Sequence, residues 1–186
     1  MGTVACTTTE RDRVFCREHA ERIYANHVRN GRKGCDANHI AKNISYRESL
    51  YRGLLTECAF GVMFGLPVNR EILDHGDSGL DFSLPLAIGR FPVNVKCKSV
   101  QTSWIGLMKS GTHLRVPISE IRPATIYVFG IYFEMTDDAE VLRWAWGQTL
   151  IRENNRAVFE NGDGSQCYIK LFEELRELQE LKDSML

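Results

Sequence analysis

Phe91-Pro92-Val93-Asn94-Val95-Lys96-Cys97-Lys98-Ser99-Val100 alternates apolar and polar side chains without a break from Val93 to Lys98. Successive strand residues point to opposite faces. The spacing therefore predicts a strand with Val93, Val95 and Cys97 on one side and Asn94, Lys96 and Lys98 on the other. Leu80 to Ala87 is a second strand candidate, and Ile88-Gly89-Arg90 is a link short enough for a hairpin. Further on, Thr125 to Phe133 is a near-continuous apolar run suited to a buried central strand, with Val141 to Trp146 as its neighbour.

Helical signals frame these strands. Thr7 and Glu10 have capping-box spacing ahead of a helix over residues 10–29, on which Cys16, Ala20, Ile23, Tyr24 and His27 gather on one side. His27 there reads as a hydrogen-bonded core histidine. Ser45 and Glu48 open a second helix, which Gly65 ends and Pro67 prevents from resuming. Leu50, Gly53, Leu54, Glu57, Phe60, Gly61 and Phe64 share one of its faces, setting Glu57 inside an apolar stripe. A buried carboxylate is costly unless it is protonated, paired (with Arg52, for example) or bound to a cation. Leu171 to Leu181 reads as a closing amphipathic helix. The order helix, helix, four strands, helix predicts an α/β fold: a mixed sheet flanked by helices.

The composition fits one core. The chain has 186 residues, of which 44% are hydrophobic, enough for a single compact domain and too few for two comfortable ones. No apolar run approaches a membrane span, and Met1 to Thr7 carries neither a secretory nor a myristoylation pattern. The expectation is a cytoplasmic protein of a bacterial or host cell, with no membrane partner. Its six cysteines then read as reduced core thiols rather than a disulfide framework. Cys16 with His19 and Cys35 with His39 have a zinc-like look, but most of the gap between them lies within a helix, which counts against that reading. Residues 1–120 carry 16 Lys/Arg against 12 Asp/Glu, and residues 121–186 carry 7 against 12, which permits a basic face on the first two thirds. Arg29, Arg32 and Lys33, in and beside a Gly-rich loop, are candidates to follow a phosphate backbone, with Lys98. Trp144 and Trp146 share one strand face and read as core.

Glu57 on its helix, Asp81 at the start of the first strand and Asn94-Val95-Lys96 on the second form a set with chemical meaning. Phosphodiester hydrolysis uses hard oxygen ligands to hold Mg²⁺ and a lysine to orient water and offset charge in the transition state.

These residues resemble a known family. Arg52 to Phe60, Phe64-Gly65-Leu66-Pro67-Val68-Asn69, Gly76-Asp77-Ser78-Gly79-Leu80-Asp81-Phe82 and Val93-Asn94-Val95-Lys96 look like the PD-(D/E)XK nuclease superfamily, the restriction-endonuclease-like fold, and are most similar to its small phage and bacterial members. Leu114-Arg115-Val116-Pro117, Ala124 to Val128 and Trp144 to Leu150 extend the resemblance over about residues 45–180. It implies a nuclease-like domain over 45–186, with residues 1–44 as an N-terminal helical extension that aids DNA docking or homodimer formation. It implies a DNA endonuclease using Mg²⁺ or Mn²⁺, with Glu57, Asp81, Asn94 and Lys96 as the catalytic set. Asp81, the Val95 carbonyl and Glu57 would be the metal-binding groups. The sequence departs from the pattern at Asn94, where the family has Asp or Glu. An amide, natural or introduced, leaves two readings. One is a nuclease with weaker metal binding, helped by Glu57 or Asp77. The other is a catalytically silent nucleic-acid-binding or protein-interaction domain on the same scaffold.

Overall fold

The computed structural model describes residues 8–30, 45–68, 80–101, 113–153, 158–160 and 166–185. Helix α1 (Glu10–Arg29) is capped by Thr9, whose Oγ1 accepts the Asp12 N–H at 3.2 Å while Asp12 Oδ2 accepts the Thr9 N–H at 2.9 Å. The expected capping box was Thr7 with Glu10. Consecutive threonines and two nearby acids offer alternative boxes, and the one used leaves Thr8 to donate its N–H and hydroxyl to Asp138 at 3.1 and 2.5 Å. Helix α2 (Tyr46–Phe64) opens at Ser45 as expected and closes at Gly65, whose φ of 65° is the left-handed conformation that favours glycine.

A five-stranded mixed sheet lies under α2, in the order β1 (Phe82–Leu86), β2 (Gly89–Val100), β4 (Ile126–Phe133), β5 (Asp138–Trp146) and β8 (Arg176–Glu177). β1 and β2 form the expected hairpin; β2 and β4 run parallel with Asn94 opposite Tyr127, and β4 and β5 are antiparallel. A parallel pair needs a crossover. Here the connection carries β3 (His113–Pro117) and a short helical turn, Ile118–Glu120. β3 joins β6 (Val158–Glu160) and β7 (Gln166–Leu171) in a second, three-stranded sheet in the order β3-β7-β6, which the sequence reading did not contain. Helix α3 (Gly147–Glu153) follows β5 directly.

Three packed clusters hold these layers. On the α2 face of the large sheet, Phe60 and Phe64 meet Phe82, Val93, Val95, Ile126, Val128 and Trp144. On the other face, Tyr127, Phe129 and Ile131 meet Leu114 and Val116 of the small sheet, with Leu150 and Phe172. The third joins the helices: Cys16 and Ala20 of α1 pack on Tyr51, Leu55, Cys58 and Ala59 of α2, so the N-terminal helix shares a core with the rest of the chain. His27 is buried there, with Nδ1 2.8 Å from the Tyr46 hydroxyl.

α2 lies close on the sheet because β4 carries a glycine at the crossing. A Cβ at Gly130 would stand 2.1 Å from Thr56 Cγ2, far inside contact distance. At the same point β5 gains a residue: Phe129 pairs with Arg143 but Gly130 with Val141, a bulge that keeps Val141 and Trp144 on the α2 face although three positions separate them. Trp144 is buried and donates Nε1–H to the Glu177 carbonyl at 2.9 Å, with Trp146 edge-on at 5.6 Å. Both serve packing.

The C-terminal segment differs from the expected helix over 171–181. Phe172–Glu174 is a short helical turn, Arg176 and Glu177 extend the large sheet as β8, and only Leu178–Asp183 is helical (α4). Leu175 packs into the cluster behind the sheet and Leu178 and Leu181 into the one in front, so the leucine spacing serves two surfaces.

Candidate active site

Asp81 sits immediately before β1, where the hairpin ladder ends at the Phe82–Val93 pair. Its main-chain N–H reaches the Val93 carbonyl at 2.9 Å, and its carboxylate oxygen Oδ2 accepts the Val95 N–H at 2.6 Å. The carboxylate thus takes the place that the next residue of a longer β1 would fill. In an extended strand a residue's N–H and C=O leave on the same side, so the Val95 carbonyl opens toward the edge that Asp81 occupies. A carboxylate and a peptide oxygen, both hard donors, converge on this notch.

Asn94 and Lys96 flank Val95. The predicted alternation holds: Val93 and Val95 pack under α2, and Asn94, Lys96 and Lys98 point to the face shared with the small sheet. Asn94 is 5% exposed. Lys96 Nζ reaches Glu120 Oε2 at 2.6 Å, forming an ion pair with the turn that follows β3. Two residues on, Lys98 lies near Arg115 of β3; burial, reinforced by that guanidinium, holds its amine below the usual lysine range.

Glu57 comes to β2 from the opposite side. It is half-buried, at the flank of a buried helix face centred on Leu54, Leu55, Cys58 and Ala59, rather than inside the apolar stripe as the sequence suggested. α2 packs on both α1 and the sheet, which turns its most buried line away from position 57. Cys97 lies beneath α2; burial raises its thiol to about 11, with the Thr56 hydroxyl and Arg52 opposing the rise and the charge of Glu57 adding to it. Arg52, the alternative partner weighed for Glu57, instead bonds Glu48 at 2.9 Å and Glu134 at 2.5 Å. Lys96 and Glu57 therefore approach β2 from its two faces, with Asp81 at the edge.

Of the other residues singled out, Arg29 is exposed at the end of α1, a helix packed on α2. Arg32, Lys33, Asp77, Cys35 and His39 lie outside the described residues. Cys16, the helical half of the zinc-like pattern, is buried with its sulfur 3.3 Å from Cys58 Sγ, both as free thiols. Sequence reasoning missed Glu120 and the small sheet that brings it and Arg115 to this face. Glu120 stands 24 positions from Lys96, and only a pairing of β3 with β7, unread in the sequence, would have pointed to it.

Among the described residues, no group of three or more His, Cys, Asp or Glu side chains is placed to hold a metal ion. The donors at the notch are one carboxylate and one peptide carbonyl, and the buried Asn94 is the neighbouring residue of the strand. This oxygen-only set suits a hard cation such as Mg²⁺, which commonly binds through one or two carboxylates, keeps several waters and takes substrate phosphates as further ligands. Among the described residues no helix is long and apolar enough to cross a membrane. Compared with known proteins, the chain matches no family model, no curated protein and no solved structure.

Proposed function

We propose that the chain is a divalent-metal-dependent endonuclease that hydrolyses DNA phosphodiester bonds on a restriction-endonuclease-like scaffold. The observation that carries this reading is the Asp81–Val95 contact: a carboxylate fixed at the open end of a hairpin, with Asn94 and Lys96 on either side of the strand residue it holds. Asp81, the Val95 carbonyl and the Asn94 amide would hold Mg²⁺ or Mn²⁺, and Glu57 would lend negative charge from the α2 side. When bound, such an ion polarises a phosphate and lowers the pKa of a coordinated water. The protein's own part is to place groups. Asp81 is fixed by the main chain, and Lys96, on the face lined by Lys98 and Arg115, offers an ammonium to orient the attacking water and to offset charge on the phosphoryl oxygens. The same cations attract the phosphate backbone without reading sequence.

The neutral residue at position 94 supports a second reading, a domain that retains DNA without cutting it. One comparison separates the two. The parent, Lys96→Ala and Asn94→Asp proteins are incubated with plasmid and linear DNA, with Mg²⁺, Mn²⁺ or a chelator. The nuclease reading expects metal-dependent cleavage that Lys96→Ala abolishes, Asn94→Asp enhances and the chelator stops. Salt-sensitive retention of DNA with no cleavage by parent or Asn94→Asp overturns it in favour of the binder.

A further inference from the structure

We infer that Glu120 is the positioning residue for Lys96, supplying from the crossover the negative charge that position 94 lacks; this rests on the nuclease reading above. Asn94 and Lys96 lie two positions apart on one face of β2, so a carboxylate at 94 would stand beside the ammonium. With an amide there, Lys96 is paired instead with Glu120, at 2.6 Å, from a different element.

An isolated ion pair at this exposure would mean little, since surface pairs contribute about 0–1 kcal/mol. The anchoring of Glu120 sets this one apart. Its main-chain carbonyl accepts the hydroxyl of Tyr127 at 3.0 Å, and the same hydroxyl accepts the Arg122 N–H at 2.9 Å. Tyr127 is 1% exposed and is the β4 register partner of Asn94. Arg122 closes the turn by donating from its guanidinium to the Ser119 and Ile121 carbonyls at 3.0 and 3.1 Å. One buried tyrosine thus ties the turn that bears Glu120 to the strand position beside Asn94. The separation of Glu120 from Lys96 is set by β-sheet register and not by two flexible side chains alone. A lysine ammonium held in this way loses rotational freedom before substrate arrives, the form of preorganisation that lowers an activation barrier.

The test uses full-length parent, Glu120→Gln, Glu120→Gln with Asn94→Asp, and Tyr127→Phe, each checked for an unchanged circular dichroism spectrum. Plasmid cleavage with Mn²⁺ is resolved into kcat and KM. The Lys96 ammonium resonance is followed by nitrogen-15 NMR without metal or DNA. The expected result is a fall in kcat of about tenfold to a hundredfold in Glu120→Gln with KM little changed, a smaller fall in Tyr127→Phe, and recovery when Asn94→Asp restores a carboxylate beside Lys96. The ammonium resonance, sharpened by pairing in the parent, broadens in Glu120→Gln. A parent that cleaves while Glu120→Gln cleaves as fast or faster overturns this inference alone. So does an unaltered Lys96 resonance. A parent that leaves DNA intact with every metal overturns the nuclease reading and this inference with it.

Discussion

The carboxylate of Asp81 accepts the amide N–H of Val95 at 2.6 Å, one step beyond the last pair of the β1–β2 ladder. A side chain here does the work of a strand, and so one residue serves both structure and the proposed chemistry. The two roles separate by substitution. Asp81→Ala leaves a largely buried N–H without its acceptor and should cost about 1–3 kcal/mol in urea unfolding. Asp81→Asn keeps an oxygen of the same shape and should cost less. Both should abolish metal-dependent cleavage, and an active Asp81→Asn protein would remove Asp81 from the metal shell.

Gly130 marks the closest approach of α2 to the sheet. Gly130→Ala drives a methyl group into Thr56 Cγ2 and should destabilise the fold by about 1–3 kcal/mol. Thr56→Ser removes that methyl and keeps the hydroxyl bonded to the Arg52 carbonyl at 2.8 Å. The double variant should therefore recover part of the loss, a coupling measurable in a double-mutant cycle. Additive losses would place the strain elsewhere.

Asp137 fastens α1 and α2 to the turn between β4 and β5. Its carboxylate accepts the Tyr51 hydroxyl at 2.6 Å, the Tyr132 hydroxyl at 2.9 Å and the Arg17 guanidinium at 2.7 Å. Burial works to raise its pKa, but these bonds prevail and hold it below the ordinary value of 3.8. A carboxyl depressed in the folded state contributes stability above its unfolded pKa and loses it as pH falls through the folded one. Asn tolerates the positive φ of 51° at this position, so Asp137→Asn isolates the charge. The gap in urea midpoint between parent and Asp137→Asn should be constant above the ordinary carboxylate range and close as pH falls below it. A gap that does not narrow would assign the effect to shape.

Lys98 and Arg115 place like charges near each other on the face that holds Lys96. Lys98→Ala should relieve that repulsion in the free protein and weaken DNA binding. The slope of log affinity against log salt should fall by about one in magnitude if Lys98 neutralises a phosphate. An unchanged slope would take Lys98 out of the DNA path.

The sequence showed most plainly what local pattern encodes. The alternation from Val93 to Lys98, the apolar run of β4 and the Ser45 and Gly65 caps of α2 each carry their own signal, and the structure repeats them nearly to the residue. The second sheet was not legible because β3, β6 and β7 are short and β3 pairs with β7 across a long stretch of sequence. Arg176 and Glu177 mislead for a related reason: leucines at helical spacing flank them, and β5 recruits them as a strand. At the site, Asp81, Asn94, Val95 and Lys96 could be read because hairpin geometry joins them locally. Glu120 depends on a crossover whose path no local rule gives.

α1 carries none of the residues proposed for chemistry, yet Cys16 and Ala20 fill the side of α2 that would otherwise face water, and Thr8 and Arg17 grip the acids at 137 and 138. A version begun at residue 45 would retain every group proposed for the notch while baring Leu55, Cys58 and Ala59. Such a fragment would tend to self-associate, and its inactivity would say nothing about catalysis. The first helix is part of what keeps the apolar side of α2 covered.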